Sequence, residues 1–172
     1  MGEYVVGAYL KLELGCDFVD YNVRPPGGGL RGLAEFDVIG FDLRKSIVYL
    51  CEVTTHVGGL LYVSNSETIR RVHAKHERQK AYAADRLGGF THKRYMFWSP
   101  VVPVGAVTNG LAEIDGLECV LNSDYAAAVD ALRLRARTES QDTGNPFFRS
   151  LQILECLRRK GVGCAPVAGS NT

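Results

Sequence analysis

No stretch of the chain approaches the ~20 consecutive apolar residues of a membrane-spanning helix. The opening Met1-Gly2-Glu3-Tyr4 carries an early acid and lacks the basic-then-apolar pattern of a secretory leader, so a soluble, cytoplasmic protein without a membrane partner is expected. The five cysteines (Cys16, Cys51, Cys119, Cys156, Cys164) form no C-x-x-C pair and are odd in number. That excludes a recognisable zinc cage or disulfide framework and points to free thiols in a reducing compartment. The formal net charge is only +1, which excludes a histone-like polycation. Gly27-Gly28-Gly29 lacks the Gly-Lys-Ser/Thr ending and strand-to-helix setting of a phosphate loop, so nucleotide binding is unsupported. No Cys–His or Ser–His–Asp set has catalytic spacing, and no internal repeat is visible.

What the chain does have is core material. It holds 172 residues, 46% apolar and 23% charged, enough for one domain over residues 1–160 with a tail over 161–172. Its near-neutral total hides an asymmetry. Residues 1–69 carry nine acidic and five basic groups, whereas residues 70–172 carry fifteen basic and ten acidic. Such a division suits a cation site beside a phosphate-binding surface, and equally two ordinary solvated faces.

Periodicity predicts a helix over 2–15, from Tyr4, Val5, Ala8, Tyr9 and Leu12, closed by Gly15. A strand follows over 18–23, and Arg24-Pro25-Pro26-Gly27-Gly28-Gly29 ends it as a loop. Strands over 33–41 and 46–55, joined by the polar turn 42–45, require an antiparallel hairpin. After a loop over 56–65, a long amphipathic helix opens at Ser66-Glu67 and runs to about 87. A strand over 93–99 and a short strand over 118–121 follow, with 101–117 undecided. Ser123 caps an Ala-rich helix to 137, and Asn145-Pro146 starts a last helix to 160. The order reads as α/β with a mixed sheet flanked by helices.

The chemistry concentrates in Ala34-Glu35-Phe36-Asp37-Val38-Ile39-Gly40 and Val48-Tyr49-Leu50-Cys51-Glu52-Val53-Thr54-Thr55. Side chains alternate across a strand, so Glu35 and Asp37 share one face, as do Glu52 and Thr54. The hairpin brings Asp37 and Glu52 onto neighbouring strands among apolar residues. Charges beside a core are costly unless paired or metal-bound, and two carboxylates suit Mg²⁺ or Mn²⁺.

Helix, strand, "E-x-D-V-I-G" strand, "C-E-V-T" strand and a Lys-bearing helix together resemble the PD-(D/E)xK nuclease superfamily over about residues 3–98. That resemblance implies a restriction-endonuclease-like fold with a four-stranded mixed sheet, and metal-dependent hydrolysis of nucleic-acid phosphodiesters, DNA above all. Asp37 is similar to the motif aspartate and Glu52 to the second acid, with the Val53 carbonyl as a further ligand. Glu3 resembles an auxiliary acid of some members. Thr54 departs from the pattern, because lysine stands there in the family; some members draw that lysine from the following helix.

A helix rises about 1.5 Å per residue and a strand about 3.3 Å. A helix starting near Ser66 and running back along the strand therefore brings Lys75 level with Glu52 or Thr54, while Lys80 overshoots by about two strand residues. Lys75 is the first choice and Lys80 the second. Ile69, Val72, His76, Ala83 and Leu87 make the inward stripe, with Lys75, Gln79 and Arg86 along its edge and Lys80 within it. Gln79 also resembles a helix glutamine of related nucleases, with Tyr82 as its companion.

Arg70, Arg71, Arg78 and Lys80, and the later Arg133, Arg135 and Arg137, are candidates for holding flanking phosphates. His56, at the end of the E-V-T-T-H strand near the site, is equally a site residue or a bystander, and Glu35 is equally a solvated residue or an outer ligand. Tyr95, Phe97 and Trp98 read as core strand, and His73 and His76 as packed inward histidines. The alternative function is a catalytically impaired nuclease-fold module binding nucleic acid or a protein. Pairing of two chains stays open.

Overall fold

The computed structural model of the chain describes residues 1–24, 35–59 and 62–160. Its elements are α1 (Gly2–Leu12), β1 (Phe18–Val23), β2 (Phe36–Asp42), β3 (Ile47–Val53), α2 (Asn65–Arg86), β4 (His92–Ser99), α3 (Ala106–Ala112), β5 (Leu117–Leu121), α4 (Ser123–Ala136) and α5 (Pro146–Arg159). The strands form one mixed sheet in the order β1-β2-β3-β4-β5. The first three make an antiparallel meander. β3–β4 and β4–β5 are parallel, as connections through the helices α2 and α3 permit. The sheet has five strands where four are implied by the family resemblance; the extra one is β5, at the far edge. The glycine-rich loop and the tail fall outside the described residues.

Helices cover both faces. On one face α1, α4 and α5 enclose Val38, Tyr49, Cys51, Met96 and Trp98. On the other, α2 and α3 cover Ile39, Val48, Leu50 and Phe97. β3 lies between them and is buried along nearly its whole length, which explains its continuous apolar run. No helix among the described residues is long and apolar enough to cross a membrane.

The element ends follow from local chemistry. Gly15, at φ +78°, lets the chain reverse after α1, and Cys16 donates its amide to the Leu10 carbonyl as the helix closes. α2 is capped by Ser64 rather than Ser66: the Ser64 hydroxyl accepts the Glu67 amide at 3.2 Å. Asn145 caps α5 through the Phe148 amide, with Pro146 in the first turn as expected. Ser123 does not cap α4. That place belongs to Asn122, whose side chain instead holds both the amide and the carbonyl of Val102. The undecided segment contains α3, only seven residues long and packed against α2.

The inward stripe of α2 is Thr68, Val72, His76, Gln79 and Ala83. Gln79 is therefore central rather than marginal. Lys80 is outside the stripe, exposed, and paired with Glu77 at 3.0 Å. His73 is likewise exposed, whereas His76 is buried and sits 3.0 Å from the Asp115 carbonyl. Phe97 and Trp98 are buried and Tyr95 half-buried, as core-strand residues. Among the described residues the cysteines are free, and burial raises the Cys16 thiol to about 12 and the Cys119 thiol to about 11. Such thiols are poor nucleophiles at neutral pH.

Close approach between α1 and the sheet depends on Gly7, where an added Cβ would stand 2.1 Å from the Tyr21 hydroxyl and 2.6 Å from its ring. Gly7→Ala is expected to destabilise the chain by about 1–3 kcal/mol, overpacking outweighing alanine's better helix propensity. Gly88→Ala, at a position open to solvent, is the control and stays within about 0.5 kcal/mol. Urea unfolding of the two variants checks this; equal midpoints would contradict the close packing.

Candidate functional site

Register puts the two motif acids side by side. Val38 pairs with Cys51 in the antiparallel β2–β3 ladder, so the next step places Asp37 opposite Glu52. Glu52 is almost fully buried at 3% exposure, on the α2 side between the alternating Cys51 and Val53, which face α1.

Asp37 is reached by an irregular route. Phe36 and Val38 should share a face, yet Phe36 packs under α2 and Val38 under α1. On the neighbouring strand Asn22 adopts a left-handed φ of +53°, and Val23 packs on the side opposite Val19 and Tyr21. Both strands thus change sides near Asp37. Its carboxylate turns toward the end of β3 and accepts the Val53 amide at 2.7 Å. Glu35 does not follow it into the cluster: its carboxylate lies 3.6 Å from Arg24. The shared face expected for Glu35 and Asp37 fails because the strand changes sides between them.

The third member comes from α2. Lys75 donates from its Nζ to the Glu52 carboxylate at 2.5 Å. One turn further along, Gln79 is fully buried and donates from Nε2 to the Leu50 carbonyl at 3.0 Å. These bonds fix the helix on β3 at two levels, residues 75 with 52 and 79 with 50. That is the direction and spacing expected from the two element rises. Lys80 has no part in the cluster. Tyr82 packs its ring 4.6 Å from that of Phe36 instead of accompanying Gln79.

Burial raises the Asp37 carboxyl, opposed by the Val53 amide and Lys75 and assisted by Glu3. Burial likewise raises Glu52, opposed by Lys75 and assisted by Asp37. For Lys75, burial pulls the ammonium down, but Glu52 and Asp37 together overcome it and the net direction is up. With all three groups ionised, the cluster keeps one negative charge in excess.

Glu3, at the start of α1, is close enough to be felt by Asp37, though its carboxylate bonds the N-terminal ammonium at 2.9 Å. The start of α1 abuts the end of β3, since a Cβ on Gly2 would meet Thr55 at 2.0 Å and Val53 at 3.0 Å. Thr54 is half-buried and its amide donates to the Trp98 carbonyl at 2.9 Å. His56 is exposed in the following loop.

A cleft of about 500 Å³ opens beside Lys75, lined by Tyr62, Arg70, Arg71, Ala74 and Arg78. Sequence reasoning singled out these arginines but not Tyr62, which lies in the β3–α2 loop with the Arg71 guanidinium 4.4 Å above its ring centroid. Arg70 and Arg71 share Glu67, and together they hold its carboxyl at about 2. The later arginines have other work. Arg133 and Arg137 converge on the buried Glu155 with Arg158, and Arg135 bonds Glu13, Glu139 and the Leu12 carbonyl. They tie α4 to α5 and α1 instead of offering a free phosphate-binding face.

Among the described residues no group of three or more His, Cys, Asp and Glu side chains stands ready to hold a metal ion. The donor set available is smaller: one oxygen of Asp37 accepts the Val53 amide and one of Glu52 accepts Lys75, and the two carboxyls lie within hydrogen-bonding reach of each other. Two hard carboxylates with excess negative charge fit Mg²⁺ or Mn²⁺, which keep several waters, better than they fit Zn²⁺.

Because burial raises the Asp37 carboxyl, its contribution to stability is full below the ordinary value of about 4 and is lost as pH rises through the folded value. Asp37→Asn keeps an acceptor for the Val53 amide and removes the buried charge. It is expected to raise the melting temperature at pH 8 by about 2–4 °C, roughly what ~1 kcal/mol produces in a chain of this size, with the gain shrinking toward pH 4. Thermal melts across that range check it; a variant less stable at pH 8 than at pH 4, relative to wild type, would contradict it.

Comparison of the chain with protein-family models, with curated proteins and with solved structures finds no match.

Proposed function

We propose that the chain is a divalent-metal-dependent endonuclease hydrolysing DNA phosphodiester bonds, on a restriction-endonuclease-like core formed by α1, β1–β3, α2 and β4. The observation that carries this reading is the meeting of Asp37, Glu52 and Lys75 at one end of the sheet, beside a cleft lined by arginines. Thr54 ceases to be an objection on this reading, since the helix supplies the amine that the strand lacks.

Asp37, Glu52 and the Val53 carbonyl would hold Mg²⁺ or Mn²⁺. Bound there, such an ion would offset charge on the scissile phosphate and make water a stronger nucleophile at neutral pH. The chain's own groups do the rest. Glu52 keeps the Lys75 ammonium charged and aimed at the acids, so that it can stabilise the non-bridging oxygens as charge develops on them. Val53 orients Asp37 through its amide. Gln79 holds α2 at the height that puts Lys75 in reach, and Glu3 adds a further negative charge near Asp37. Arg70, Arg71 and Arg78 contact flanking phosphates, which adds salt-sensitive affinity without reading sequence. Lys80 lies outside the lining of the cleft and pairs with Glu77 instead.

Plasmid nicking with Mg²⁺ or Mn²⁺ tests the proposal. Asp37→Ala and Glu52→Ala are expected to abolish cleavage. Lys75→Ala should lower turnover about 10²–10³-fold, the usual loss for one preorganised electrostatic group, with Mn²⁺ affinity little changed. Mn²⁺ at 100 times its Kd should stabilise the wild type by about 2.7 kcal/mol and leave Asp37→Asn unaffected. Cleavage that survives both alanine substitutions would sink the assignment. No cleavage by the wild type, with salt-sensitive DNA binding retained, would favour the impaired binding module.

A further inference from the structure

The mouth of the site has two chemically different walls. One is the cationic cleft on α2, where Lys75, Arg70, Arg71 and Arg78 face the same open space as the Tyr62 ring. Arg78 has no ion-pair partner among the described residues, and its charge is felt at Glu52. The other wall is apolar and belongs to the loops after β3 and β4. Val57 is 85% exposed, Val63 90% and Val104 87%. These loops lie side by side, since a Cβ on Gly59 would come within 4.0 Å of both Pro103 and Val101. Because β3 and β4 are parallel, both loops leave the same end of the sheet as Glu52. Val63 adjoins Tyr62, which lines the cationic cleft, and precedes Ser64, the cap of α2, so the exposed apolar residues of the first loop begin at the edge of that cleft.

Single exposed valines need no explanation. Three almost fully exposed ones on two adjacent loops, next to an arginine-lined cleft, do. A continuous duplex turns phosphates and sugars outward and keeps its bases stacked, so it would use the cationic wall and gain little from the apolar one. A single strand presents both chemistries at once. Its phosphates track a positive groove while its unpaired bases lie on aromatic and apolar side chains. Tyr62 suits that role, because Arg71 holds its ring in place and the residue remains 41% exposed.

From this juxtaposition we infer that the site takes nucleic acid with unpaired bases, a single strand or a single-stranded extension, in preference to continuous duplex. Phosphates lie along Arg70 and Arg78, and bases rest against Tyr62, Val63 and Val104. The inference rests on the nuclease reading for its location and adds the class of substrate.

The test is fluorescence anisotropy of the full chain in EDTA, so that nothing is cleaved, with a labelled 30-nucleotide single strand of mixed sequence and with the same strand annealed to its complement. The wild type should bind the single strand at least tenfold more tightly. Tyr62→Ser and the double variant Val63→Ser/Val104→Ser should each cut single-strand affinity about tenfold and leave duplex affinity within twofold. Arg70→Ala/Arg78→Ala should weaken both and flatten the salt dependence. These positions are solvent-exposed, and unchanged melting temperatures confirm intact folding. Equal or tighter duplex binding by the wild type, or single-strand affinity untouched by the loop variants, would overturn the inference while leaving a duplex nuclease standing. Failure to bind either form at low salt would overturn the nucleic-acid reading itself.

Discussion

The bond from Lys75 to Glu52 is the constraint around which the rest of the structure is arranged. Glu52 stands on the most buried strand of the sheet, where an unpaired carboxylate would be expensive. A cation must reach it, and among the described residues α2 supplies it in Lys75. The helix is therefore held in one register, with Gln79 bonded to Leu50 a turn away. Once α2 is fixed, its outer arginines necessarily flank the same opening. Charge burial, helix placement and the positive cleft are consequences of a single pairing.

Asp37 adds a second acid to a place that can neutralise only one. Burial raises both carboxyls, so holding the second acid there opposes its ionisation. Buried groups in such electrostatic tension are concentrated where proteins do chemistry. The strain is local. Beyond the cluster, charges are conventionally matched: three arginines surround Glu155, and Arg94 pairs with Glu118 across the parallel strands.

Much of this arrangement was legible in the sequence because periodicity and turn chemistry are local. Nine of the ten elements lie where apolar spacing, caps and breakers put them, and the two rises per residue were enough to choose Lys75 over Lys80. The misreadings have nonlocal causes. The wheel placed Lys80 inside the stripe because it weighed residues by apolarity; Gln79 is the true inward residue, since its amide satisfies a β3 carbonyl. Glu35 parts from Asp37 because a change of sides in the strand cancels simple alternation. Tyr62 carried no signal, lying in a loop whose approach to α2 depends on tertiary packing. The Arg133–Arg137 run looked like a free basic face, and its partners, Glu13 and Glu155, are distant in the chain.

The left-handed turn at Asn22 also bears on how the chain behaves in crowded solution. β1 forms one outer margin of the sheet among the described residues, and an outer strand with free amides invites a foreign chain to add itself. Here only a short flat run is offered: Asp20 stands exposed along it, and the reversal of handedness at Asn22 interrupts it one residue before its end. The turn at Asn22, on the strand beside Asp37, thus also makes this margin a poor template for aggregation.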